Sequence, residues 1–182
     1  ERAYVTNVFD RKAVALEFSP DGSKLYTIVG RAANNHEVRQ YTMSTPWDVS
    51  TAVQDATLSL KTGSFYDTNW TNDLVWNPDG TKLIALNDSS SRDQSSIRMF
   101  NVTTPYDIGT VTSEVTYTIE GLSYVAIDHP LSFEFNSSGT KMIVGGFDSY
   151  ASNQQAYQRI QEFDLAGSYD FSTITKLSAT SY

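Results

Sequence analysis

The sequence predicts an all-β protein built from three copies of one four-stranded antiparallel unit. Three observations carry that prediction. A turn-centred segment recurs, an aromatic–Asp segment recurs behind it, and the apolar residues fall in short runs instead of helical stripes. The first segment reads EFSPDGSKLYTIV from Glu17, VWNPDGTKLIALN from Val75 and EFNSSGTKMIVGG from Glu134. Its glycines, Gly22, Gly80 and Gly139, lie 58 and 59 residues apart, and Phe18, Trp76 and Phe135 keep the same intervals. The second segment reads RQYTMSTPWDVST from Arg39, RMFNVTTPYDIGT from Arg98 and QEFDLAGSYDFST from Gln161. Its aromatic–Asp pairs are Trp47-Asp48, Tyr106-Asp107 and Tyr169-Asp170.

Each unit divides into elements in the same order. The first predicted strand is short and apolar, over 14–18, 74–76 and 131–135. A tight turn follows, Pro-Asp-Gly in two units and Ser-Ser-Gly in the third. Asp or Ser accepts hydrogen bonds from the turn backbone, and Gly accepts positive φ. The second strand is predicted over 24–29, 82–86 and 141–144, and the third over 38–43, 97–102 and 159–165. The fourth is predicted over 56–60, 115–119 and 176–182. A unit of four such strands cannot bury both of its faces alone. Stacked radially, such units form the blades of a β-propeller, which typically has about four to eight. The predicted blades run over about 2–60, 61–119 and 120–182, making the chain half or part of a closed propeller.

The run FSPDGSKLY followed by VRQY resembles bacterial and phage β-propeller repeats related to Trp-Asp repeats. The resemblance spans essentially the whole chain and implies the fold. Such repeats occur in secreted and surface proteins and in phage tail-fibre-like proteins, so the resemblance also implies a location outside the cell, on its surface or on a virion. The third unit departs from the pattern, with Asn136-Ser137-Ser138-Gly139 replacing the Pro-Asp-Gly turn. The tetrapeptide YVTN at Tyr4 to Asn7 names one propeller family, in which it follows the turn; here it precedes the turn and reads as coincidence.

Composition narrows the function classes. The formal charge is −8, and an acidic chain repels phosphate backbones, so nucleic acid is not an expected partner. The chain has no cysteine, which removes disulfides and thiolate metal sites. No apolar run approaches the ~18 residues of a membrane helix, so membrane insertion is not expected. The opening ERAYVTNVFD does not read as a signal peptide. Glu1 is an unusual first residue, and the chain reads as three whole units cut at a repeat boundary. The end blades then need covering, so a homo-oligomer or additional blades are expected to close the ring. A symmetric dimer is the simplest assembly.

Antiparallel topology sorts the connections onto two sides. One side holds the repeated turns and the aromatic–Asp segments. The other holds segments that differ between units: 8–13, 30–37, 63–73, 87–96, 121–130 and 146–158. Variable loops on a rigid scaffold are the usual seat of binding. The aromatics there are Phe65, Tyr66, Trp70, Tyr124, Tyr150 and Tyr157. They suit carbohydrate or protein contacts, because each offers apolar area, several with a polar tip. Packing between blades is the competing use of the same rings. The carboxylates there are Asp10, Asp67, Asp73, Asp88, Asp93, Asp128 and Asp148. Asp10, Asp67 and Asp128 stand 12, 13 and 11 residues before their turn glycines, and hard oxygen ligands at a channel mouth suit Ca²⁺. No other cofactor is implied.

Catalytic motifs are absent from the sequence. His36 and His129 are the only histidines, and neither a nucleophile elbow nor a paired metal–histidine motif appears. His129, beside Asp128 and Pro130, reads as a loop histidine, with a general base as the alternative. The series Trp47, Tyr106 and Tyr169 admits one sugar site per blade, against the reading that each ring packs while its Asp caps a turn. The sequence favours a non-catalytic binding or structural module, an adhesin or tail-fibre-like protein recognising carbohydrate or protein. The alternatives are a lactonase- or glycosidase-like propeller hydrolase with an acidic channel mouth, and a multivalent lectin.

Overall fold

A computed structural model describes residues 13–29, 36–60, 70–88, 95–118, 129–148 and 157–181. Among the described residues, twelve strands form three four-stranded antiparallel sheets, each in the sequential order of a propeller blade. The first blade is β1 Ala13–Phe18, β2 Lys24–Val29, β3 Glu37–Met43 and β4 Ala52–Ser59. The second is β5 Trp70–Trp76, β6 Lys82–Asp88, β7 Ser96–Val102 and β8 Val111–Thr118. The third is β9 His129–Phe135, β10 Lys141–Asp148, β11 Tyr157–Asp164 and β12 Thr175–Ser181. Among the described residues, helix is confined to three 3-10 turns, Val49–Thr51, Ile108–Thr110 and Phe171–Thr173.

The repeated segments fold as one local device. Gly22, Gly80 and Gly139 take φ of 70°, 70° and 66°, a region that costs other residues a steric clash. Asp21 accepts from the Ser23 amide at 3.0 Å, and Asp79 from the Thr81 amide at 3.0 Å. In the third blade, which lacks that Asp, Asn136 takes over, accepting from the Thr140 and Lys141 amides at 2.9 and 3.0 Å. Trp47, Tyr106 and Tyr169 also take positive φ, at 64°, 58° and 54°, an uncommon state for bulky residues. Their amides donate to the carbonyls of Gly22, Gly80 and Gly139 at 2.9, 2.8 and 2.8 Å. The next residue in each case, Asp48, Asp107 or Asp170, caps its 3-10 turn by accepting from the amide two residues on.

Several strand boundaries differ from the sequence expectation for a physical reason. The outer strands β4 and β8 begin at Ala52 and Val111, directly after the 3-10 turns, four residues before the predicted starts. They are largely exposed edge strands, so no apolar alternation marks where they begin. Likewise β6 and β10 run on to Asp88 and Asp148, past the end of their apolar stretches.

The chain divides into two compact units, and the division runs through the second blade. One comprises Glu1–Asp67, Leu74–Leu83 and Phe100–Glu114; the other comprises Thr68–Asp73, Ile84–Met99 and Val115–Tyr182. In the first unit, Leu25, Tyr41 and Met43 form a core with Phe18, Val49 and Ala52 packed on it. Tyr26 is fully buried, packs on Trp76 at 5.2 Å and donates its hydroxyl proton to the Tyr106 carbonyl. Burial and the nearby Asp107 and Asp55 carboxylates push the Tyr26 hydroxyl well above its ordinary acidity constant, so it stays protonated and donating. Gln40, also buried, accepts from the Ile108 amide at 2.9 Å. In the second unit, Phe133, Phe135, Tyr169 and Phe171 form an aromatic group with ring centroids 5.0 to 5.9 Å apart.

Candidate active site

The second blade is more polar than the others at matching positions. Thr71, Asn72 and Asp73 of β5 stand where the first blade has Ala13, Val14 and Ala15, and the third has Pro130, Leu131 and Ser132. Asn87 and Asp88 of β6 stand where the others have Val29 and Gly30, and Gly146 and Phe147. Most of these polar side chains are buried: Thr71, Asn72, Asn87 and Asp88, with Ser95, Ser96 and Arg98 of the β7 region. Buried polar groups persist only where hydrogen bonds compensate their lost hydration.

Those bonds lie within the second compact unit and tie β5 and β6 to β9. Thr71 donates its hydroxyl proton to Asn87 Oδ1 at 2.6 Å. Asn72 Nδ2 donates to the Pro130 carbonyl at 2.7 Å, and Asp73 Oδ2 accepts from the Phe133 amide at 3.0 Å. At the end of this ladder, Asp88 Oδ2 lies 3.1 Å from His129 Nδ1. The Asp88 side chain is 6% exposed and that of His129 is 31% exposed. The imidazole also stacks on Phe147, with centroids 4.7 Å apart and planes at 29°.

That environment fixes the ring. A buried carboxylate beside Nδ1 selects the tautomer with its proton on Nδ1 and leaves the Nε2 lone pair to accept a proton. No hydrogen bond to a described residue engages Nε2. Asp88 and Phe147 thus hold an imidazole that is itself partly exposed. An imidazole held in this way has the geometry that general acid–base chemistry requires. The Ser95 hydroxyl is buried with no hydrogen-bond partner among the described residues.

The structure corrects the reading of His129 as a loop residue. It is the first residue of β9, paired opposite Phe147, because β9 extends two residues beyond its predicted apolar start. The carboxylate the structure gives it is Asp88, 41 positions away. Both residues belong to the variable segments 87–96 and 121–130. A position-by-position comparison of the three units would have exposed the second blade's polar substitutions.

The other sequence-predicted residues fall into three groups. Tyr66, Tyr124 and Tyr150, together with Asp10, Asp67 and Asp128, lie outside the described residues, as do Phe65 and Asp93. Trp70 opens β5, and Tyr157 opens β11 opposite Asp148. Trp47, Tyr106 and Tyr169 each lie over the turn glycine of their own blade and pack on the aromatic ahead of it, Phe18, Trp76 and Phe135, at 5.0, 5.5 and 5.0 Å. Trp47 is exposed, Tyr106 half-buried and Tyr169 buried, so the three rings do not present equivalent surfaces. His36 is buried, and its carbonyl accepts from the Leu60 amide at 2.9 Å. Among the described residues, no group of three or more His, Asp or Glu could hold a metal ion. Nor does any described helix have the length and apolarity to cross a membrane.

No protein-family model matches the sequence, and no curated protein sequence does so. Solved structures match the fold. A Bacteroides uniformis protein named as a candidate 6-phosphogluconolactonase aligns with a TM-score of 0.60 and 18% identity, over 94% of this chain and 41% of its own. The periplasmic gluconolactonase of Pseudomonas aeruginosa aligns with a TM-score of 0.59 and 19% identity, over 91% and 38%. A Bacteroides fragilis protein, also named as a candidate 6-phosphogluconolactonase, aligns with a TM-score of 0.58 and 20% identity, over 91% and 38%. The chain thus spans about two fifths of the length of these structures. At such identities the likeness concerns the fold of the blades.

Proposed function

We propose that this chain is part of a β-propeller hydrolase that opens sugar lactones, with His129 as the proton-transferring group and Asp88 as the residue that orients it. The Asp88–His129 pair is the observation that carries this reading, because it supplies an oriented, partly exposed base on a blade scaffold. The fold neighbours named for gluconolactone and phosphogluconolactone opening support the substrate class. In the reaction, Nε2 takes a proton from water as the water oxygen bonds to the lactone carbonyl carbon. The tetrahedral intermediate collapses, the ring C–O bond breaks, and the imidazolium returns the proton to the departing alkoxide. Water is consumed and the open hydroxy acid is formed. The variable segments that contain Asp88 and His129 would recognise the sugar. A compartment outside the cytoplasm fits this reading, as the Pseudomonas aeruginosa neighbour is periplasmic by name. No described feature favours an adhesin or fibre module over this reading.

The test is proton release from glucono-δ-lactone above the spontaneous rate, alongside a glycan-binding panel. Asp88→Asn should lower kcat by about 10²-fold or more while KM changes little, since it disturbs orientation and not sugar contact. Asp88→Asn turning over at the wild-type rate would remove the pair from the mechanism. Tight glycan binding with no lactone opening would return the protein to the binding-module class.

A further inference from the structure

Ser95 stands beside the Asp88–His129 pair with a hydroxyl that no described residue engages. The residue is 2% exposed, and its Oγ is buried with no hydrogen-bond partner among the described residues. A buried hydroxyl that gives up water without a replacement destabilises the fold. Such groups are rare in folded proteins and are retained where a function needs them.

The repeat places this hydroxyl. In the third blade His129 pairs with Phe147, and Phe147 pairs with Gln158, so these residues form one rung across β9, β10 and β11. The second-blade counterparts of Phe147 and Gln158 are Asp88 and Ser95, at the adjoining ends of β6 and β7. The 3.1 Å contact between Asp88 and His129 shows that the rungs of the two blades lie level within the second compact unit. Residues opposite each other on antiparallel strands present their side chains to one face, with Cβ atoms about 5 Å apart. Ser95 thereby shares the face that Asp88 uses to reach His129. The counterparts of Ser95 in the other blades are His36 and Gln158, both with longer side chains. Serine on this rung keeps a hydroxyl and leaves the space a longer side chain would fill, next to an imidazole that is 31% exposed.

We infer that Ser95 determines substrate specificity at this site by exchanging hydrogen bonds with a ring hydroxyl of a polyhydroxylated lactone, an inference that rests on the lactone-opening reading above. A serine hydroxyl both donates and accepts, as a sugar hydroxyl does. The scissile carbonyl only accepts and is common to every lactone, so serving it would confer no selectivity. A buried polar group reserved for a substrate hydroxyl rejects the analogue that lacks it, because the group is then left unpaired in a closed site. The wild-type chain should therefore prefer sugar lactones to unsubstituted ones, and its empty site carries an unpaired hydroxyl that weakens the fold.

The experiment compares Ser95→Ala with wild type on glucono-δ-lactone and on δ-valerolactone, which has the same ring size without hydroxyls. The ratio of kcat/KM for the sugar lactone to that for δ-valerolactone should fall about tenfold or more in the variant, as expected for losing one hydrogen bond in a buried setting. Urea unfolding followed by circular dichroism should show the Ser95→Ala midpoint unchanged or raised, since no bond within the fold is lost. An unchanged ratio, or a loss of equal size on both lactones, would overturn the assignment. So would a lowered urea midpoint, which would reveal a structural partner for the hydroxyl. A wild-type chain that opens neither lactone would refute the hydrolase reading and this inference with it, whereas an active wild type whose ratio Ser95→Ala leaves unmoved would refute the inference alone.

Discussion

Gly80→Ala is the most exacting test of the turn device. At φ of 70° an added Cβ would lie 2.4 Å from Tyr106 Cδ2 and 2.7 Å from Cγ. The ring has no way to retreat. Its hydroxyl donates to the Pro78 carbonyl at 2.6 Å, its amide donates to the Gly80 carbonyl at 2.8 Å, and Trp76 packs on it at 5.5 Å. The left-handed backbone costs Ala about 1–2 kcal/mol. Displacing a ring pinned at both ends adds about 1–3 kcal/mol of overpacking strain. The total is about 2–5 kcal/mol, a large part of the stability of a typical domain. Gly22→Ala provides the comparison. Its φ is also 70°, but the facing ring is the exposed Trp47, which can swing into solvent. Only the backbone cost of about 1–2 kcal/mol should remain. Urea unfolding followed by circular dichroism measures both. Equal costs for the two variants, or a Gly80→Ala change under about 0.5 kcal/mol, would refute the argument that the pinned ring determines the size of the effect.

Tyr26→Phe removes the proton donated to the Tyr106 carbonyl and should cost about 1–2 kcal/mol in the same urea assay, because it leaves that acceptor without its donor. The Asp21 carboxyl is held down to about 2 from its ordinary 3.8, chiefly by the Ser19 hydroxyl and then by the Ser23 amide and hydroxyl. The fold favours the carboxylate, so its contribution is complete above pH 3.8 and fades as pH falls towards 2. Asp21→Asn should therefore show a shallower loss of stability than wild type between pH 5 and pH 2.5, read from urea midpoints; an identical slope would count against the assigned bonds.

The blades were legible in the sequence because their defining bonds are local. The glycine turn, the Asp or Asn beside it and the aromatic–Asp cap each close within a few residues, so their chemistry recurs as spelling. The aromatic's positive φ was not legible, since it follows from an amide reaching back to a glycine carbonyl 25, 26 or 30 positions earlier in chain order. The starts of β4 and β8 were hidden because exposed edge strands carry no alternating pattern. The candidate site was half visible. Asp88 and His129 both fell in segments marked as variable, but their pairing depends on strand ends brought together from different blades. Sequence proximity suggested Asp128 as the neighbour of His129, whereas packing supplied Asp88.

The measurement closest to the central claim is the initial rate of glucono-δ-lactone opening by wild type and His129→Ala, with and without imidazole in the buffer. If His129 moves the proton, the variant should lose about 10²- to 10⁴-fold in kcat while keeping its circular dichroism, and added imidazole should restore part of the rate to the variant alone. A His129→Ala chain that opens the lactone as fast as wild type would contradict the account, as would a wild-type rate no greater than spontaneous hydrolysis.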